Sequence, residues 1–172
     1  MAVESKQLKC LKYLYETVLP KINGTGHYNF DLTGNIYKQE ISPEKLGEGR
    51  FPAVFIRDQG VYTVQLESTA RGVEMGESGR NDDGWPVAIV GILKGEANAG
   101  DEWGLTEDAI NLQSDFQIAI ATDIALGGNC ETCVVTAIGK NPPQGRADIY
   151  AFVTVVVSIK YASNPYAAVP TT

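Results

Sequence analysis

Residues 105–128 read LTEDAINLQSDFQIAIATDIALGG, and this stretch decides the fold class. Leu105, Ala109, Leu112, Phe116 and Ile120 recur at steps of three and four, which puts them on one face of an α-helix. Ile110, Ala119 and Ile124 widen that stripe, as expected for a helix lying across a β-sheet. Thr106 is a suitable N-cap, and Glu107 and Asp108 place negative charge in the first turn, where the helix dipole favours it. Gly127-Gly128 then stops the helix near Leu126.

Working outward, the flanking segments have strand character. Upstream, PVAIVGILKGE (86–96) is an apolar strand core. Downstream, TCVVTAIG (132–139) is a strand, KNPPQGRAD (140–148) a polar connection, and DIYAFVTVVVSIKY (148–161) a long strand rich in β-branched residues. Further upstream, FPAVFIRDQGVYTVQLE (51–67) holds a buried run at Val54–Ile56, turn chemistry at Asp58-Gln59-Gly60 and alternation from Val61 to Leu66. Near the N-terminus, Leu8, Leu11, Tyr15, Val18 and Ile22 mark a second helical face. That helix is predicted from about Val3 to Leu19, with Pro20 and Asn23-Gly24 as its stop. Between Gly24 and Gly49 the pattern dissolves, leaving room for one short strand.

The order helix, strands, loop, strand, helix, strand, strand, tail predicts an α+β domain over residues 1–160. Both helices should cover one face of a largely antiparallel or mixed β-sheet. Leu11, Val18, Leu112 and Phe116 are expected to be buried with Val54, Ile56, Ile89 and Val155. Two segments fall outside this scheme: a long inter-strand loop at about 68–86, STARGVEMGESGRNDDGWP, and an extended C-terminal arm at 161–172, YASNPYAAVPTT. Neither has the periodicity to bury itself, yet each carries groups that gain from burial against a partner. In the loop these are Val73, Met75 and Trp85, with Arg71 and Arg80 able to pair with carboxylates. In the arm they are Tyr161, Pro165 and Tyr166. These eight positions are the interface candidates.

The chain has 172 residues, 44% of them hydrophobic, which suffices for one self-supporting core. Fourteen basic against 21 acidic residues give a net charge of −7. No basic run exists to grip duplex DNA or an anionic membrane, and an acidic surface instead suits DNA that passes without adhering. No window approaches the roughly 20 apolar residues of a membrane span. The start, MAVESKQLKC, has no apolar stretch behind its charges, so the expectation is a chain that folds in a cytoplasm.

The residue types that carry chemistry are sparse. Cys130-Glu131-Thr132-Cys133 has C-x-x-C spacing, but it follows a helix stop and enters a strand, whereas redox motifs open a helix that lowers a thiol pKa. Zinc would need Cys10 and His27 to complete a four-ligand set from unlike elements. His27 is the only histidine and has no acidic neighbour in sequence. Gly24-Thr25-Gly26 precedes no helix, Gly47-Glu48-Gly49 lacks the phosphate-binding lysine, and Asn81-Asp82-Asp83 lacks the spacing of a calcium loop. Trp103, like Trp85, reads as the cap of a core edge with an interface role as the alternative. The expectation is no catalytic set, no cofactor and no metal.

The whole arrangement resembles the tail terminator (tail-completion) proteins of long-tailed bacteriophages. The resemblance is carried by an N-terminal amphipathic helix, then FPAVFIRDQG, a variable loop and PVAIVGILKGE. It continues through the helix INLQSDFQIAIATDIALGG, with Asp115, Asp123, Ala125 and Leu126 in its acidic ending, and FVTVVVSIKYASNP, with Tyr161 and Pro165. It covers most of the chain outside 24–49 and 68–85. What it implies is a structural virion protein: a hexameric ring of identical subunits on the head-proximal end of the tail tube. Such a ring ends polymerisation of the tube protein and joins the tail to the head connector and neck proteins. Double-stranded DNA touches it only in passage through the lumen, and no membrane is involved. Its place would be the virion tail or neck, and the host cytoplasm during assembly. Another neck, tube or baseplate component is the alternative within this class. A small cytoplasmic redox or metal protein using Cys130 and Cys133 is the alternative outside it.

Overall fold

A computed structural model describes residues 4–58, 84–96, 104–141 and 148–161. The strand expected at 61–66, the loop up to residue 83 and the arm from residue 162 lie outside the described residues.

The first helix, α1 (Lys6–Tyr13), starts where the Ser5 hydroxyl accepts the Leu8 backbone N–H. The helical path continues through a wider π turn, Leu14–Val18, and a tight 3₁₀ turn, Leu19–Lys21. It thus begins at Lys6 rather than Val3 and passes through Pro20, which has no N–H to lose in the first turn of a 3₁₀ segment. The buried stripe is Cys10, Leu14 and Val18, joined by Leu19 and Ile22. Leu8 is exposed, and Leu11 and Tyr15 are half-buried. The face differs from the expected one because the π turn inserts an extra residue. The positions before the turn are thereby one residue out of phase with those after it, so Val18 and Ile22 are buried as expected while the inward positions upstream are Cys10 and Leu14.

The second helix, α2 (Gly104–Ala121), carries the expected stripe: Ala109, Leu112, Phe116 and Ile120 are buried and Leu105 half-buried. Its limits and width differ from expectation. Thr106 lies inside the first turn, and the helix stops at Ala121, leaving Leu126–Gly128 as a separate 3₁₀ turn. Ala119 is buried as expected, whereas Ile110 and Ile124 are exposed.

Among the described residues five strands form one mixed sheet: β1 (Ile36–Tyr37), β2 (Ala53–Asp58), β3 (Trp85–Glu96), β4 (Thr132–Asn141) and β5 (Asp148–Lys160). Their spatial order is β1-β2-β3-β5-β4, with β1 parallel to β2 and every other pair antiparallel. β1 is the short strand anticipated between Gly24 and Gly49. The β3–β5 pair is the spine, running from Trp85 opposite Ile159 to Glu96 opposite Asp148.

Alternation along these strands sorts two cores. Val54, Val87, Ile89, Leu93, Val153, Val155 and Val157 face the helices and meet Leu14, Val18, Leu112 and Phe116. On the opposite face Phe55, Ala88, Val90 and Ile92 pack with Leu46, Phe51 and Phe152. The expected core set is therefore assembled, with Leu11 and Ile56 at its partly buried margin. Gly91 lets α2 approach the sheet: a Cβ there would sit 2.6 Å from Leu112 Cδ2 and 3.1 Å from Phe116 Cζ. The chain is thus an α+β domain with two helices on one side of an open sheet.

Candidate assembly surface

Of the eight interface candidates, Arg71, Val73, Met75, Arg80, Pro165 and Tyr166 lie outside the described residues. The other two are corrected. Trp85 is the first residue of β3, 1% exposed, with its indole N–H donating to Asp58 Oδ1 at 2.9 Å. Tyr161 is 7% exposed and belongs to the helix-side core. Both are largely buried within their own subunit. The physical reason is strand parity: Trp85 continues the inward series of Val87 and Ile89, and Tyr161 continues that of Val157 and Ile159.

The structure instead exposes the outer strand. β4 pairs with β5 on one side and, among the described residues, with no strand on the other. Its pairing slips between Val135 and Ala137, leaving Thr136 as a bulge whose hydroxyl donates to the Val156 carbonyl. From Thr136 to Lys140 every residue is exposed, on both faces of the sheet, while the paired residues of β5 are buried or half-buried. Val134 is 44% exposed and Ile138 42%, in a strand whose only charged residue is Lys140. Native edges of this length are usually blunted by several charges, by a bulge or by a covering segment. Among the described residues the bulge, Lys140 and the Ile124 carbonyl, which accepts the Cys133 N–H at the start of the strand, serve that purpose. Sequence reasoning identified this strand but not its edge position, since the order of strands in a sheet leaves no trace in alternation.

At the N-terminal end of β4 a turn holds the cysteines. Leu126 and Gly127 take left-handed φ values of 47° and 64°. Leu126 tolerates this because its side chain is fully buried in the helix-side core. Gly127 is required, since a Cβ there would lie 2.5 Å from the Tyr13 ring. The Tyr13 hydroxyl donates to Asp123 Oδ2 at 2.7 Å, and the Gly127 N–H also donates to that carboxylate, which lowers the Asp123 pKa. The turn then delivers Cys130 half-buried and Cys133 buried. Burial pushes both thiols up to about 12, and the neighbouring Cys10 and Asp123 add to the shift. That is the reverse of the depressed thiol a redox motif uses. Among the described residues no group of three His, Cys, Asp or Glu side chains is placed to hold a metal ion.

No protein-family model matches the chain, and no curated protein matches it significantly.

A further side chain carries weight that its sequence context does not announce. Asp115, on α2, is fully buried. Its carboxylate accepts the Asn29 N–H at 2.9 Å, the Phe30 N–H at 2.9 Å and the Asn29 side-chain amide at 2.8 Å. One helix carboxylate thereby pins the glycine-rich segment that leads into β1.

Proposed function

We propose that this chain is a structural subunit of a bacteriophage tail that closes into a ring, in the manner of the tail terminators it resembles. The ring is hexameric and caps the tail tube. One observation supports assembly above the others: a ten-residue edge strand, exposed on both faces along half its length, with Val134 and Ile138 in contact with solvent. In a head-to-tail ring each subunit offers one surface to a different surface of its neighbour, and a sheet edge that pairs with no further strand among the described residues suits that role. The net charge of −7 fits a lumen that lets DNA slide.

Native mass measurement and negative-stain imaging test this reading. The purified chain, alone or mixed with tail tubes, is expected to form rings of six 18.6 kDa subunits. Persistence as a monomer at every concentration, tubes included, overturns it. Ile138→Lys should abolish rings while changing unfolding by about 1 kcal/mol or less, because the side chain it replaces is 42% exposed at the sheet edge and the lysine stem can cover the same surface.

The arm gives a second test. Removing the residues after Ala162 should leave the thermal transition nearly unchanged and weaken association. A cut that also removes the buried Tyr161 should lower the midpoint by several degrees, at about 4 °C or less per kcal/mol for a chain of this size. Equal amide exchange in the arm of free and assembled subunits would refute its role in assembly.

A further inference from the structure

Residues 162–172, ASNPYAAVPTT, contain no Asp, Glu, Lys or Arg, and neither does β4 from Thr132 to Gly139. The two uncharged stretches start from the same corner of the fold. Thr132 stands opposite Lys160, and the Glu131 N–H donates to the Lys160 carbonyl at 2.7 Å. Tyr161, which follows, is buried, so the arm begins at a fixed point beside the start of β4. That end of the strand edge is occupied by its own chain, because the Cys133 N–H donates to the Ile124 carbonyl at 2.6 Å. The far half is open: Thr136 to Lys140 are exposed, and no described strand pairs beyond β4.

We propose that the arm of one subunit adds to the open half of β4 in the next, as an extra edge strand of that neighbour's sheet. The proposal rests on the ring reading and names the partner of its edge: a second copy of this chain, offering residues 166–169. Those four residues, Tyr-Ala-Ala-Val, lie between Pro165 and Pro170. Proline is tolerated at the first residue of a strand and on an edge, so the two prolines bracket a short strand. Its length is close to that of the five exposed residues Thr136 to Lys140. Side chains of an added strand alternate between faces, with Tyr166 and Ala168 on one and Ala167 and Val169 on the other. The edge offers an apolar side chain to each. Ile138 stands opposite Val155 of the helix-side core, whereas Val134 follows the inward Cys133 and points to the other face. Main-chain pairing then supplies affinity and the alternate side chains fix the register. The neighbour's arm is favoured over the subunit's own, which would have to pass the Ile124 turn to reach an edge that is exposed within the subunit. Ala162 to Pro165 span at most about 14 Å, which is the reach available between subunits. Arm to edge is also a contact between unlike surfaces, as a head-to-tail ring requires.

Photo-crosslinking of the full chain tests this. A photoreactive benzoylphenylalanine replaces Ile138 in one preparation and Thr136 in another, and each is mixed with heavy-nitrogen-labelled wild type before irradiation. Mass spectrometry should find adducts that join the light probe to heavy residues 162–172. Adducts confined to the probe's own arm, adducts to any other segment of a second copy, its β4 included, or no adduct at either position would overturn the proposal. Proline substitutions read the strand pairing itself. In an added edge strand alternate N–H groups point at β4 and the others at solvent. Of Ala167→Pro and Ala168→Pro, one should therefore weaken association roughly tenfold while the other changes it little. Equal effects, or none, would refute strand addition. Native mass keeps the two readings apart. Hexamers without arm adducts refute the arm and leave the ring, whereas arm adducts in assemblies other than hexamers refute the ring and leave the arm.

Discussion

Asp115→Ala is expected to lower the free energy of unfolding by about 3–5 kcal/mol, because charge-assisted hydrogen bonds and the donors they leave behind each carry about 1–3 kcal/mol. The carboxylate is fully buried and accepts the backbone N–H groups of Asn29 and Phe30 together with the Asn29 side-chain amide. Truncation removes the acceptor and strands those donors beside α2, where Tyr28 and Phe30 pack against the helix-side core. Asp115→Asn keeps one acceptor oxygen but turns an NH₂ group toward N–H donors, so it should recover only part of the loss. Denaturant unfolding followed by circular dichroism gives the magnitude. Amide exchange gives the location, and the Asn29 and Phe30 amides should lose protection before the sheet does. A loss below about 1 kcal/mol would mean that the segment is held by its apolar contacts alone.

That anchor was invisible in the sequence for a definite reason. Its partners lie 86 and 85 positions away, in a segment with no periodic signal, and one aspartate in a helix reads as surface charge. What could be read was whatever repeats. The α2 stripe from Leu105 to Ile120 and the cores of β3 and β5 each present four or more positions at a fixed period, and β2 a continuous apolar run, and all stand where expected. Where the period is broken locally, the reading slipped. The π turn at Leu14–Val18 displaced the α1 face from Leu8 and Leu11 to Cys10 and Leu14.

Trp85 and Tyr161 show a different failure. Both continue a period of two at the end of a strand, so the signal that buries them was present. Their polar flanks, Asp82-Asp83-Gly84 and Ala162-Ser163-Asn164, outweighed it in the reading. The exposed edge of β4 depends on which elements become neighbours. Topology decides that, and a single sequence with one dominant period per element does not encode it legibly.

Phe116→Ala is expected to cost about 3–5 kcal/mol, the range for a fully buried aromatic whose site cannot collapse. Phe116 is 0% exposed, and its ring lies over Gly91, a position on the helix face of β3 with no side chain. Neither neighbour can refill the space: Gly91 has no atoms to offer, and Leu112 already occupies the other side of the crossing. Gly91→Ala probes the same contact from below. Its new methyl would stand 2.6 Å from Leu112 Cδ2 and 3.1 Å from Phe116 Cζ, so α2 must lift or both side chains must leave their rotamers, at about 1–3 kcal/mol. The two substitutions should therefore be non-additive. In the double variant the added methyl no longer meets the ring and occupies part of the cavity, leaving only the clash with Leu112, so the combined loss should fall short of the sum by about 0.5 kcal/mol or more. Strict additivity in chemical denaturation would place Phe116 away from Gly91 and refute this helix-to-sheet crossing. A Phe116→Ala loss below about 1 kcal/mol would refute the helix face itself.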